Sequence, residues 1–291
     1  MPSALTRRRG ARGYVLIAVL WLGVALLTGM AAFLSSARQE AMTARAEIAA
    51  LRADALARSG LNLALARLAD ALGPTEDGAP DPGRAMPRDG RPVVLEMAEG
   101  RVAIRVEDEA GKVDLRHAPP QLLGPVLASL GRSTGIDAFA ATNLAQGFGE
   151  VNPMGDGRPM DLALLLRGAG LDARATALAG RHLTLLNGTP KVDPRTASRV
   201  VLAAVPGLGP SDVETIVARR EGGDALPQLG SANVWLAQRQ GPIYTIRVRA
   251  ELATGGVGRI DAVVGARGLS FREGATRFDV LTLERPLGDD F

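Results

Sequence analysis

The most apolar stretch of the chain lies close to its start. From Tyr14 to Leu34 runs YVLIAVLWLGVALLTGMAAFL, 21 residues without a charge. A helix of that length rises about 30 Å, the thickness of a bilayer's hydrocarbon core. After Leu34 the pattern changes but does not stop. Ser35 to Leu72 contains no proline, a single glycine at Gly60, and many Ala, Leu, Arg and Glu residues, so the helix is expected to continue to Leu72. Apolar positions Ala44, Ile48, Leu51 and Ala55, then Leu61, Leu65, Leu68 and Leu72, recur at steps of three and four. Arg38, Glu40, Arg45, Glu47, Arg52, Asp54 and Arg58 take the other faces, so this second part, residues 35–72, reads as an amphipathic continuation of the first. Gly73-Pro74 ends the helix, and the segment to Pro92, rich in Pro, Gly and Asp, reads as a linker.

Beyond the linker the period drops to two. Val93–Met97 and Arg101–Glu107 read as strands joined at Glu99-Gly100, with Val102, Ile104 and Val106 on one face and Arg101, Ala103 and Arg105 on the other. A second alternating run comes only near the C-terminus, where Tyr244, Ile246, Val248, Ala250 and Leu252 oppose Thr245, Arg247, Arg249 and Glu251. Gly255-Gly256 turns the chain into Gly258–Val264, and Arg277–Glu284 adds an edge strand. The stretch between carries a mainly helical pattern. The economical reading is one α+β fold: a long N-terminal helix packed on an antiparallel sheet built from residues 93–117 and 243–285, interrupted by an inserted helical domain over 118–242. A short repeat marks the insertion. Lys112-Val-Asp-Leu-Arg116-His-Ala118 and Lys191-Val-Asp-Pro-Arg195-Thr-Ala197 each precede an apolar helix, near Pro119–Leu130 and Thr196–Val205. Asp114 and Asp193 suit turn and N-cap hydrogen bonds there.

Composition narrows the chemistry. The 291 residues are 46% hydrophobic and 22% charged, enough to bury a core. With no cysteine there is no disulfide framework, thiol nucleophile or Cys-ligated metal, and His117 and His182 alone do not make a His-rich centre. The net charge of +3 is a property of the N-terminal tip: Arg7, Arg8, Arg9 and Arg12 stand there, leaving 30 basic against 31 acidic residues elsewhere. Four arginines before an apolar span set that tip in the cytoplasm and the rest across the membrane, in the periplasm of a bacterium. The alternative is a cleavable secretory signal with Ser35-Ser36-Ala37 as its cleavage site, although the apolar run exceeds the usual length of such signals.

The phrase Arg-Gly13-Tyr14-Val-Leu-Ile-Ala18-Val-Leu resembles the leader of type IV pilins, a short basic peptide ending in glycine and cut by prepilin peptidase before a long hydrophobic helix. The resemblance places the leader at residues 1–13, the cleavage at Gly13–Tyr14 and the transmembrane helix at 14–34. Pilins and most pseudopilins carry glutamate at the fifth mature residue, where this chain has Ala18. In lacking it, and in carrying a large helical insertion, the chain is similar to the minor pseudopilin K family of type II secretion. That resemblance implies a non-enzymatic, single-pass inner-membrane subunit at the tip of the periplasmic pseudopilus. Its implied partners are minor pseudopilins I, J and H, the major pseudopilin, prepilin peptidase and the inner-membrane assembly platform. Some members bind calcium in the insertion. The corresponding region here offers Glu150, Asn152 and Asp156, short of the six to eight oxygens calcium takes, so no cofactor is expected.

A second pattern competes. Val205-Pro-Gly207-Leu-Gly209-Pro-Ser-Asp-Val-Glu-Thr-Ile216 resembles the hairpin of a helix-hairpin-helix motif, whose exposed amides hold DNA phosphate. It leaves open a membrane-anchored periplasmic DNA-binding protein. Against this, Lys191–Glu221 has five basic and four acidic residues and no stacking aromatic, and a tight helix-to-helix turn uses glycine for its backbone alone. No nucleophile elbow, zincin or P-loop sequence is present. Each histidine is expected to face solvent or cap a helix.

Overall fold

The computed structural model describes residues 11–72, 86–134, 161–168, 170–238, 241–267 and 277–285. The chain divides into two compact units, Met1–Leu51 and Arg52–Phe291, and each is described by itself. Helix α1 (Ala11–Leu72) runs for 62 residues without a break. In the first unit its apolar side chains are exposed, Leu16 at 74% and Trp21 at 69% among them. It is the one described helix long and apolar enough to cross a membrane.

In the second unit the last five turns of α1 pack on a sheet. The buried stripe is Ala53, Leu56, Ala57, Gly60, Leu61, Ala64 and Leu68. It departs from the expected stripe at Ala55, which is exposed, while Leu65 and Leu72 are only partly buried. Small residues take over because the helix lies very close to the strands. A Cβ on Gly60 would sit 2.6 Å from Val102 Cγ1 and 2.9 Å from Val248 Cγ1, and one on Gly258 would meet the carbonyl of Ala53.

The sheet has five antiparallel strands in the order β1-β2-β5-β6-β7: β1 (Val93–Met97), β2 (Gly100–Asp108), β5 (Ile243–Leu252), β6 (Val257–Arg267) and β7 (Arg277–Glu284). Its register sets Ile104 beside Val248 and Val248 beside Ile260, so one face presents Val102, Ile104, Val106, Tyr244, Ile246 and Ile260 to α1. The opposite face carries Arg101, Arg105, Arg247 and Arg249, as the period-two pattern requires. Residues 86–92 of the segment expected to be a linker lie along the sheet. Met86 is buried, Asp108 N donates to Arg88 O and Gly90 N to Val106 O, extending the pairing of β2.

Between β2 and β5 come the described helices other than α1. After a 3-10 turn at Glu109–Gly111 come β3 (Val113–Asp114), α2 (Pro120–Thr134), α3 (Leu162–Gly168), α4 (Ala173–Gly180), β4 (Leu183–Thr184), α5 (Arg199–Ala204), α6 (Pro210–Gly222) and a 3-10 turn at Gly230–Val234. They bury a hydrophobic cluster of their own, with Leu122, Val126, Leu130, Leu183, Leu202 and Ile216 at its centre. The two-residue strands β3 and β4 pair in parallel, a contact too short to leave an alternating signature. Helix α2 reaches Thr134, beyond the expected Leu130, and α5 is shorter than the Thr196–Val205 the sequence suggested.

Candidate functional site

Two places carry residues singled out by the sequence, and a third emerges only from the fold. The first is the start of α1. The helix opens at Ala11, so Gly13 and the Gly13–Tyr14 bond lie in its first turn. Tyr14 is 78% exposed, and Ala18 is exposed on the same helix, without a carboxylate anywhere from Tyr14 to Gln39.

The second is the hairpin between α5 and α6. Gly207 has φ +88°, a left-handed conformation that favours glycine, and an added Cβ would sit 2.8 Å from Ser231 Oγ. Gly209 differs. Its φ is −88°, and it serves as N-cap of α6 with Pro210 following, so its backbone is open to other residues. The Gly209 amide donates to Asp212 Oδ2 at 2.8 Å. A carboxylate therefore already occupies the amide that a phosphate would need, at the positive end of the helix.

The third is the junction where the sheet gives way to the helices, and sequence reading did not anticipate it. Glu107 ends the outward face of β2, and Lys112 follows the 3-10 turn. Lys112 Nζ lies 2.7 Å from Glu107 Oε2 and 2.8 Å from Glu109 Oε1. Arg247 Nη1 reaches Glu107 Oε1 at 2.5 Å, and the Thr245 hydroxyl donates to Glu109 Oε1 at 2.7 Å. Lys112, Glu107 and Glu109 are each more than nine-tenths buried. Burial alone would raise the Glu107 carboxyl, but the Lys112 and Arg247 charges outweigh it and hold it down at about 2. Lys112 is likewise raised against its burial by the two glutamates. Beside them the Asp108 carboxyl is pushed up to about 6 by burial, against the amides of Ala110 and Gly241 and the charge of Arg88. The Tyr244 phenol is pushed up to about 12, by burial and then by Asp108.

The repeated phrases fold alike. Asp114 Oδ1 accepts from Arg116 N and Asp193 Oδ1 from Arg195 N, both at 2.9 Å, and each aspartate carbonyl accepts from the alanine four residues on, Ala118 or Ala197. These are turn bonds, as expected. The N-cap half of that expectation fails for both copies: Asp114 Oδ2 accepts from Gly188 N rather than from an amide of α2, and Ser198 Oγ caps α5 by accepting from Val201 N. Asn187 ties the copies together, its Nδ2 donating to Lys112 O at 3.1 Å and Lys191 O at 3.0 Å.

The histidines separate. His117 is partly exposed beside Asp114 Oδ1 at 3.1 Å. His182 is buried, contrary to expectation, with Nδ1 2.8 Å from Ser198 Oγ. Burial drives its pKa down to about 4, with Lys112 and Arg181 pushing the same way and Glu107 opposing. Glu150, Asn152 and Asp156 lie outside the described residues. Among the described residues no group of three or more His, Asp or Glu is placed to hold a metal.

No protein-family model matches the chain, and no curated protein matches it. Among solved structures it is similar to a chain of the GspK-GspI-GspJ complex from the type 2 secretion system of enterotoxigenic Escherichia coli. That likeness is 14% in sequence with a TM-score of 0.47, over 87% of this chain and 99% of that one, too remote to carry an assignment.

Proposed function

We infer that the protein is a minor pseudopilin of K type, a non-enzymatic subunit that starts or caps the type II secretion pseudopilus. The observation that carries this reading is the build of α1: a basic tip and a Gly13–Tyr14 junction, an uncharged span from Tyr14 to Leu34, and unbroken helix to Leu72 whose last turns pack on an antiparallel sheet. The uncharged span supports a single-pass anchor, and the arginines before it support a cytoplasmic N-terminus with the sheet in the periplasm.

Ala18 supports a place at the tip. In a pilin-type filament a fifth-residue carboxylate in a low-dielectric bundle pairs with the free amine of the subunit above, since an unpaired charge there is costly. A chain with Ala18 offers nothing upward, yet once cut it presents the Tyr14 amine downward. Such a subunit is followed without following, with I, J and H pseudopilins as its neighbours. The DNA-binding alternative draws no support from the hairpin, whose Gly207 is used for its backbone and whose Gly209 amide is taken by Asp212.

The test is processing and placement together. Mass spectrometry of the wild-type protein should show a mature chain beginning at Tyr14, and immunogold should mark filament ends. Gly13→Val should stay uncut in the membrane, because a branched side chain obstructs the scissile position, and filaments should become fewer. A mature chain beginning at Arg38 would overturn the pilin-type reading. Gold spread along the shaft would overturn the tip.

A further inference from the structure

At the same junction lies a cavity of about 170 Å³ whose described lining includes no apolar side chain. Arg88 and Arg105 face it from the sheet side, Lys112 from the turn, and Arg181, His182 and Thr196 from the helical side. A space of this size has room for about five waters, or one small ion with part of its shell. A polar lining keeps it from being an empty packing defect.

The acids on its walls are committed elsewhere. Asp89 is held by Arg91 at 2.9 Å and Arg220 at 3.7 Å, and Glu107 by Lys112 and Arg247. Asp108 accepts from the amides of Ala110 and Gly241. Several donors have no such commitment. Nη1 of Arg88 and Oγ1 of Thr196 are buried without a hydrogen-bond partner, and Arg181 lines the same space from an exposed position. Ser198 Oγ accepts from Val201 N, and giving its own hydrogen to His182 Nδ1 leaves Nε2 of the ring as a further donor. Buried donors are rarely left unmet in a folded protein. Donors of positive sign grouped around one hydrophilic space bind an acceptor of negative sign more strongly than a neutral one.

We propose that this cavity binds a small oxyanion of the phosphate or sulfate class, with Arg88 and Arg181 supplying charge and Thr196 and His182 supplying hydrogen bonds. The cavity is too small for a nucleotide, so the ligand is the free ion. Bound there, it joins the sheet side to the helical side and stabilises their junction. The site stands independently of the pseudopilin reading.

The test is thermal unfolding of the full chain in detergent at pH 7.5, with sodium phosphate, sodium sulfate or sodium chloride at matched ionic strength. Phosphate and sulfate should each raise Tm saturably, by about 5 °C at a roughly twentyfold excess over Kd. Excluded kosmotropic salts also stabilise proteins generally, so the deciding arm is Arg181→Gln. Arg181 is exposed, and its replacement should leave Tm in chloride unchanged while removing the saturable rise. Arg88→Gln should weaken the rise as well. An equal rise in wild type and Arg181→Gln would assign it to general exclusion from the surface and overturn the site. So would unfolding in phosphate that matches unfolding in chloride.

Discussion

The sheet is joined to the rest of its unit in two opposite ways. On one face it meets α1 through small apolar side chains, so closely that Gly60 and Gly258 leave no space for a Cβ. At its far end it meets the helices through Glu107, Lys112, Glu109 and Arg247, charges held within hydrogen-bonding distance of one another. The first contact gains from burial of area and dispersion, which act at short range and do not change with pH. The second has a large desolvation cost that is repaid only while every member stays in place. One should therefore be sensitive to added volume and the other to a missing charge.

The largest effect is expected on the apolar side. In Gly258→Val the new side chain runs into the Ala53 carbonyl, a backbone atom that cannot rotate aside. The helix must lift from β6, and overpacking of this kind costs on the order of 3–4 kcal/mol. Denaturant unfolding of the full chain in detergent should show a midpoint lowered accordingly, with the loss unchanged between pH 5 and 8. A wild-type midpoint would show that the close approach is not needed.

The ionic side should respond next. Lys112→Met keeps length and burial but leaves Glu109 with only the Thr245 hydroxyl and Glu107 with only Arg247. Removing one partner from a buried pair costs about 3 kcal/mol, most of it the stranded charge. Adding Glu109→Gln to Lys112→Met should recover about half of that loss, since the stranded charge goes with it. If the double variant is no more stable than Lys112→Met, the junction is held by packing and the contrast with the α1 face disappears.

The two contacts were not equally readable in the sequence. Alternation placed β2 and β5, because a sheet with one buried face repeats every second position; the neighbouring strands followed from the turns beside them, and Val93–Met97 and Arg277–Glu284 match to the residue. The length of α1 followed from its composition. Its buried stripe was misplaced because Ala53, Ala57, Gly60 and Ala64 carry little hydrophobic signal, and their value lies in letting two backbones approach. Gly207 was legible as a turn glycine; Gly209 was grouped with it although its φ is negative. The junction could not be seen at all. Glu107, Glu109, Lys112 and Arg247 read as solvent-facing charges on alternating strands and a turn, and only the pairing of β2 with β5 brings Thr245 and Arg247 against the two glutamates. A lysine preceded by glutamates at i−5 and i−3, in a turn between apolar runs, was the one available signal. His182 escaped for the same reason, since Ser198 stands sixteen residues away.

The smallest effect separates the two contacts by pH. Burial holds His182 at about 4 in the folded protein, well below the ordinary histidine value of 6.5. The unfolded chain binds its proton first on acidification, so stability present above pH 6.5 is lost as pH falls towards 4. Asp108 acts the other way. Burial pushes its carboxyl up to about 6 in the folded protein from the ordinary aspartate value of 3.8, so the folded state takes its proton first and stability is gained as pH falls from 6 towards 4. In wild type the two offset over that window, and the stability of the protein in chloride buffer should be nearly flat between pH 6 and 4.5. His182→Gln keeps a side chain able to bond Ser198 and removes one of the two opposing titrations. The variant should then become more stable on acidification over the same window, by about 1–2 kcal/mol. Below 4.5 both proteins should lose stability together as Glu107 is protonated towards its pKa of about 2. A variant whose stability stays flat from pH 6 to 4.5 would mean that neither group is linked to folding, and that the ionic end of the sheet is as indifferent to protons as the face against α1.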